Sequence, residues 1–251
     1  MMMMMIVLLT TCVWGVAGCS ATFSAVERRF YDFDNYRISY RYTAAAKRTE
    51  TKQQQVLFIH PIGIGLSSWF WDRMELGEET EMYAVNLLGC GQSDESAVWV
   101  PEKKGMFVPL TWVKQCEQLL NEQELSSVTV VVQGGLAPVG ISLASRNPER
   151  VKILILTSPP TWKELTTAVP EREIQRNYDF LSSKLFGSLA FDTLESRWAV
   201  GGFSNLFLFQ TTCDDEWIDN IMKEMGPSVR PPVQVFNAGM CQAKSYEDEL
   251  F

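Results

Sequence analysis

The chain has 251 residues, of which 46% are hydrophobic and 12% aromatic, and its formal net charge is −8. That much apolar material fills a sizeable core and excludes a mainly disordered chain. The acidic balance, without a basic block to offset it, argues against sequence-independent binding to nucleic acid or to an anionic membrane surface.

The first elements are those of a leader. Residues 4–17 form an uncharged apolar run, and small residues follow at Gly18, Cys19, Ser20 and Ala21. A targeting leader over residues 1–25 is expected, directing the chain to a plastid or to the secretory pathway. Ser20-Ala21-Thr22-Phe23 suits the plastid route. Val16-Ala17-Gly18-Cys19 instead resembles a bacterial lipoprotein box, with Cys19 carrying lipid, and a misplaced start codon is a third reading. No membrane span is expected after the leader. Cys90, Cys116, Cys213 and Cys241 are scattered through the body without a C-x-x-C pair, so buried free thiols are expected and no metal site.

Beyond the leader, Phe30 to Phe33 and Arg37 to Tyr42 read as strands around a turn at Asp34-Asn35. Residues 44–55 read as a polar loop. Val56 to His60 is a buried strand that ends in Pro61-Ile62-Gly63-Ile64-Gly65, and Leu66 to Met74 has the character of a Trp-rich amphipathic helix. Met82 to Leu88 is a second buried strand leading into Gly89-Cys90-Gly91-Gln92-Ser93-Asp94. Trp112, Val113, Cys116, Leu119 and Leu120 recur at helical spacing. Val128 to Gln133 is a third strand, Pro138 to Arg146 a helix with Pro in its first turn, and Val151 to Thr157 a fourth strand.

Near-continuous apolar strands alternating with helices predict an α/β fold: a mostly parallel sheet covered by helices, with glycine-rich loops at the strand C-terminal ends. From Pro159 onward the alternation stops. The aromatic-rich stretch Tyr178 to Phe209 reads as helical, and each aromatic is more readily a packing residue than a ligand contact. The expected organisation is a core over residues 26–160 and a helical cap region over 161–251.

Strand, sharp turn and helix at residues 128–146 have the form of a nucleophile elbow, in which hydrolases present Ser, Cys or Asp on a strained turn. His60-Pro61-Ile62-Gly63, Gly89-Cys90-Gly91-Gln92-Ser93-Asp94 and Pro148-Glu149-Arg150-Val151 are three further ordered motifs. Together they resemble the α/β-hydrolase superfamily. Val132-Gln133-Gly134-Gly135-Leu136-Ala137-Pro138-Val139-Gly140 is similar to the elbow of haloalkane dehalogenases, which stand near epoxide hydrolases in that superfamily. The resemblance places the nucleophile at Gly134, a residue without a side chain. It implies the backbone N–H groups of Ile62 and Gly135 as oxyanion donors, and it puts Leu136 where the family has a packing glycine, which suggests a relaxed elbow.

No catalytic residue is assigned. The one His, His60, lies before the elbow, where a loop-packing role is expected, whereas the family's general base comes near the C-terminus. Glu164 is the nearest candidate acid and a poor one. By the resemblance, the family's last strands, which carry acid and base, are expected to be missing, because the sequence ends at Phe251. An apolar open edge is therefore expected at Lys152 to Leu156, fit for a protein partner. Three readings stay open: a non-catalytic protein binding an apolar small molecule or a protein; a truncated form of a longer enzyme; and an active hydrolase of an ester, epoxide or halide that uses other groups, such as Cys90. No cofactor is expected.

Overall fold

The computed structural model of the chain describes residues 5–9, 26–47, 53–91 and 109–250. The expected loop 44–55 and the motif 89–94 lie partly outside these residues.

Six strands form the body of the sheet: β2 (Glu27–Phe33), β3 (Tyr36–Thr43), β4 (Gln54–Ile59), β5 (Thr80–Val85), β6 (Val128–Gln133) and β7 (Val151–Thr157). With β1 (Met5–Leu9) the order is β1-β7-β6-β4-β5-β3-β2. The pairs β6/β7, β4/β6 and β4/β5 are parallel, while β3 runs antiparallel to both β2 and β5. This is the mostly parallel α/β sheet expected from the alternating apolar runs. Asp34 and Asn35 take φ of 47° and 68° between β2 and β3, the paired left-handed conformation of a tight hairpin turn.

The central strands show why both faces had to be apolar. Leu57 and Ile59 on β4, Tyr83 and Val85 on β5, and Val130 and Val132 on β6 point into one core; Phe58, Ala84 and Val131 point into the other. The period of two sends alternate residues of an unbroken apolar run to opposite sides, so a helix or loop must cover each side. On the larger core lie α1 (Leu110–Glu122) and α2 (Ala137–Arg146). Trp112, Val113, Cys116, Leu119 and Leu120 form the buried stripe of α1, as their spacing predicts. The four described cysteines are free and buried.

Two expectations need correction here. Leu66 to Met74 is not a helix but a single 3₁₀ turn, Ser68–Trp71. The Ser68 N–H, free of any partner within the turn, donates to the Asn86 side chain at 2.8 Å and ties the turn to the end of β5. The edge at β7 is not open: β1 pairs with it in parallel, Met5 opposite Ile153 through Leu9 opposite Thr157. An apolar β-forming run suits a strand as well as it suits a leader.

After β7 come α3 (Trp162–Thr166), α4 (Glu171–Leu181), α5 (Phe186–Leu194), α6 (Arg197–Phe203), a π-helical turn (Ser204–Leu208), α7 (Asp215–Lys223), α8 (Arg230–Asn237) and α9 (Glu247–Leu250). They divide by what they bury. Leu165, Ile174, Tyr178, Val235, Cys241 and Tyr246 join the main core. Val200, Trp217 and Ile221 instead pack with Trp69 in a cluster of their own. Arg73 clamps the start of α7 through Asp214 and Glu216. Among the described residues no helix is long and apolar enough to cross a membrane.

Candidate functional site

The elbow is built by β6 running into a 3₁₀ turn, Gly134–Leu136, and then into α2. Gly134 sits at φ +66°, the left-handed region where a residue without Cβ is at ease. The elbow therefore keeps its sharp form, and the relaxation expected from Leu136 does not occur. The reason is packing. Leu136 is fully buried in the main core, and the close approach of helix to strand is made further along. A Cβ on Gly140 would lie 2.4 Å from Val132 Cγ2, so only glycine fits there.

Around the two glycines of the elbow the surroundings differ. A Cβ on Gly134 would meet nothing within 4 Å, so the space a nucleophile would use is open. A Cβ on Gly135 would lie 2.3 Å from Phe236 Cζ, because α8 lays that ring against the turn. Beside it runs a cleft of about 390 Å³, bounded by Gly135 and Pro138 from the elbow and by Ser158, Pro159 and Pro160 from the end of β7. Glu164 and Leu165 from α3, and Phe236, Asn237, Gly239, Cys241 and Gln242 from α8 and the turn after it, close the other side.

Of the two expected oxyanion donors, Gly135 borders this cleft. Ile62 does not; it packs on the main core, as Phe236 does. Ser158 was not singled out by sequence reasoning. It bends the chain at φ 48°, and the pair Pro159-Pro160 directly after it was the available signal.

His60 is fully buried at the end of β4. Its Nδ1 donates to the Pro61 carbonyl at 2.7 Å, and its Nε2 accepts the Leu87 N–H at 3.2 Å, which fixes the tautomer. Burial holds its pKa at about 4, although the Pro61 carbonyl opposes the shift. A ring whose basic nitrogen already accepts an amide proton, and whose cation is disfavoured by burial, has no lone pair to offer a substrate.

The loop after β5 is fastened in the same manner. Gln115 on α1 accepts the Leu88 N–H at 2.6 Å and donates to the Asn86 carbonyl at 2.7 Å, and Trp112 donates to the Leu88 carbonyl at 3.2 Å. Gly91, at φ +64°, lies so close to the Asn86 side chain that a Cβ would be 2.6 Å from it. Cys90 is buried in this loop, and burial pushes its thiol far above the ordinary range, so no thiolate is available there.

Glu164 is occupied as well. It closes a capping box with Thr161: its carboxylate accepts the Thr161 N–H and hydroxyl, both at 2.8 Å, and its own N–H donates to Thr161 Oγ1. The Thr161 backbone N–H, then its hydroxyl, hold the carboxyl below its ordinary pKa, so it is ionised at neutral pH. Among the described residues no group of three or more His, Cys, Asp or Glu could hold a metal ion.

No protein-family model and no curated sequence matches the chain. Solved structures do. A haloalkane dehalogenase DbeA loop variant from Bradyrhizobium elkanii matches with a TM-score of 0.61 at 16% identity, over 89% of this chain and 71% of that one. The haloalkane dehalogenase DatA from Agrobacterium tumefaciens C58 matches at 0.57 and 19%, over 86% and 74%. The epoxide hydrolase CorEH matches at 0.60 and 16%, over 88% and 76%. At such identities the likeness is one of fold, and it is the α/β-hydrolase fold.

Proposed function

We propose that this protein is a binding member of the α/β-hydrolase fold rather than a hydrolase, and that it takes a small, neutral, largely apolar molecule in the cleft beside the elbow. One observation carries the reading: the elbow keeps its sharp turn at Gly134 with no side chain there to attack a substrate. The sole His spends both ring nitrogens on backbone groups, which supports the same conclusion for the general base.

What the cleft offers is apolar wall with a few polar atoms. Pro138, Pro159, Pro160, Leu165 and Phe236 supply the wall, and Asn237 and Gln242 supply side-chain amides. Gly135 stands at the start of α2, where backbone N–H groups have no intrahelical partner. The ionised Glu164 on the opposite side repels anions. A neutral carbonyl compound therefore suits the site better than a carboxylate.

The test uses 4-nitrophenyl butyrate with the full chain. Saturation-transfer NMR is expected to show the ester bound, with its signals undiminished over hours. Absence of transfer at millimolar ester overturns the binding reading, and steady release of 4-nitrophenol overturns the non-catalytic one.

A further inference from the structure

The sheet order ends at β2, which among the described residues is paired on one side only, by β3. The pairing shows which of its backbone groups face outward. The Asn86 N–H donates to the Ser39 carbonyl at 3.1 Å, so Ser39 turns its backbone groups toward β5 and away from β2. Opposed residues of an antiparallel pair either both bond each other or both turn away. Phe30 stands opposite Ser39, so its N–H and C=O point out of the sheet, and the period of two adds those of Arg28 and Asp32. The hairpin agrees, because a two-residue turn at Asp34-Asn35 closes on Phe33 and Tyr36 as a bonded pair.

The side chains alternate in step. Tyr31 is buried, while Arg28, Phe30 and Asp32 are exposed along the other face. A cation, a ring and an anion thus stand in order on the three residues whose backbone faces outward. Arg37, opposite Asp32 on β3, lies over the Phe30 ring, 4.3 Å from its centre. Among the described residues Asp32 makes no ion pair. Arg28 acts electrostatically on Glu224 at the end of α7 and stays exposed.

We infer that two copies of this chain pair through β2, antiparallel about a two-fold axis at Phe30, so that the sheet continues across a dimer. In that register Arg28 of each copy faces Asp32 of the other, twice by symmetry, and the two Phe30 rings meet at the axis. The outward backbone groups of all three residues then find partners. Moving the axis to Arg28 or to Asp32 would set like charges face to face, so charge specifies the register. Charges on an edge strand usually discourage pairing; under this two-fold axis they are complementary. An unrelated strand would need a cation, an apolar residue and an anion in the same order and spacing, which a second copy carries by construction.

Sedimentation velocity of the full chain tests the inference. The chain is expected to be a monomer at about 5 μM and increasingly a dimer towards about 500 μM, the behaviour of a small, transient interface. Arg28→Asp and Asp32→Arg each set like charges opposite one another at both ends of the pairing, and each is expected to weaken the dimer by about tenfold or more. The two variants are complementary to each other, so their equimolar mixture is expected to associate about as tightly as the wild type. Phe30→Pro removes an N–H that the fold does not use, as edge strands tolerate, so it should keep the wild-type circular dichroism and stay monomeric. The inference is overturned if the wild-type chain is monomeric throughout, or if Phe30→Pro dimerises as the wild type does. It is overturned equally if the mixed variants associate no better than either alone.

Discussion

The Nε2 atom of His60 accepts the backbone N–H of Leu87 at 3.2 Å, and this bond joins the loop that leaves β4 to the loop that leaves β5. The ring's other nitrogen donates to its neighbour Pro61, so the imidazole is a fixed, neutral strut between two loops on one side of the elbow strand β6.

A pH dependence follows. Burial holds His60 at about 4 in the folded chain against an ordinary 6.5, so between these values the unfolded chain binds a proton that the folded chain refuses. Stability from this group is complete above about pH 6.5, declines as pH falls, and is lost below about 4; the full span is about 3 kcal/mol. Urea unfolding at pH 7.0, 5.5 and 4.5 should show this decline, and His60→Gln should flatten it. An equal decline in the variant would assign it to other groups.

Gln115 gives a second, independent measure of how tightly the loop after β5 is held. Its side-chain amide satisfies both the Leu88 N–H and the Asn86 carbonyl inside the fold. Gln115→Leu keeps the volume roughly and strands two buried backbone groups, at a cost of about 2–5 kcal/mol. Chemical denaturation measures it; a loss under about 1 kcal/mol would mean that the loop finds other partners.

Gly135 and Phe236 should be energetically coupled. A methyl at Gly135 drives into the Phe236 ring, so Gly135→Ala is expected to cost about 1–3 kcal/mol by overpacking. In Phe236→Ala the obstacle is gone, and the second substitution should then cost far less. A double-mutant cycle with additive effects would show that α8 does not rest on the elbow in solution.

Glu164 is expected to act as the charge filter of the cleft. Glu164→Gln preserves the capping box, since Gln serves at that position as Glu does, and removes the negative charge. Butyrate should then bind measurably by titration calorimetry where the wild type excludes it, with the melting temperature little changed. Equal butyrate affinity in both proteins would remove Glu164 from ligand selection.

Much of this was readable from the residues in order. Val128 to Gln133 and Val151 to Thr157 are mainly apolar, β-branched-rich stretches bounded by polar residues and turn formers, and such runs have few other conformations open to them in a chain of this composition. The sharp turn between β6 and α2, with Gly134 at positive φ, was equally plain. What escaped the sequence depended on contacts from far along the chain. The short turn at Ser68 is tied to Asn86, and Leu136 leaves the elbow intact because Gly140 supplies the close contact with Val132. The edge at β7 is met by Met5–Leu9, a run whose composition suits a leader or a strand alike. Composition alone also misjudged the aromatics: Phe186, Trp198 and Phe207 have the residue type of a core and face solvent.

The central claim is that the turn at Gly134 presents no chemistry, and hydrolysis assays on wild type, Gly134→Ser and Gly134→Asp test it most directly. A side chain fits at Gly134 with no clash, at a conformational cost of about 1–2 kcal/mol, so both variants should fold. With 4-nitrophenyl butyrate, 1-bromobutane and styrene oxide, none of the three proteins is expected to release more than one equivalent of product above buffer, because the one His, His60, has both ring nitrogens committed to backbone groups and cannot drive the release of a covalent intermediate. Sustained turnover by the wild type, or by either variant, would contradict the account.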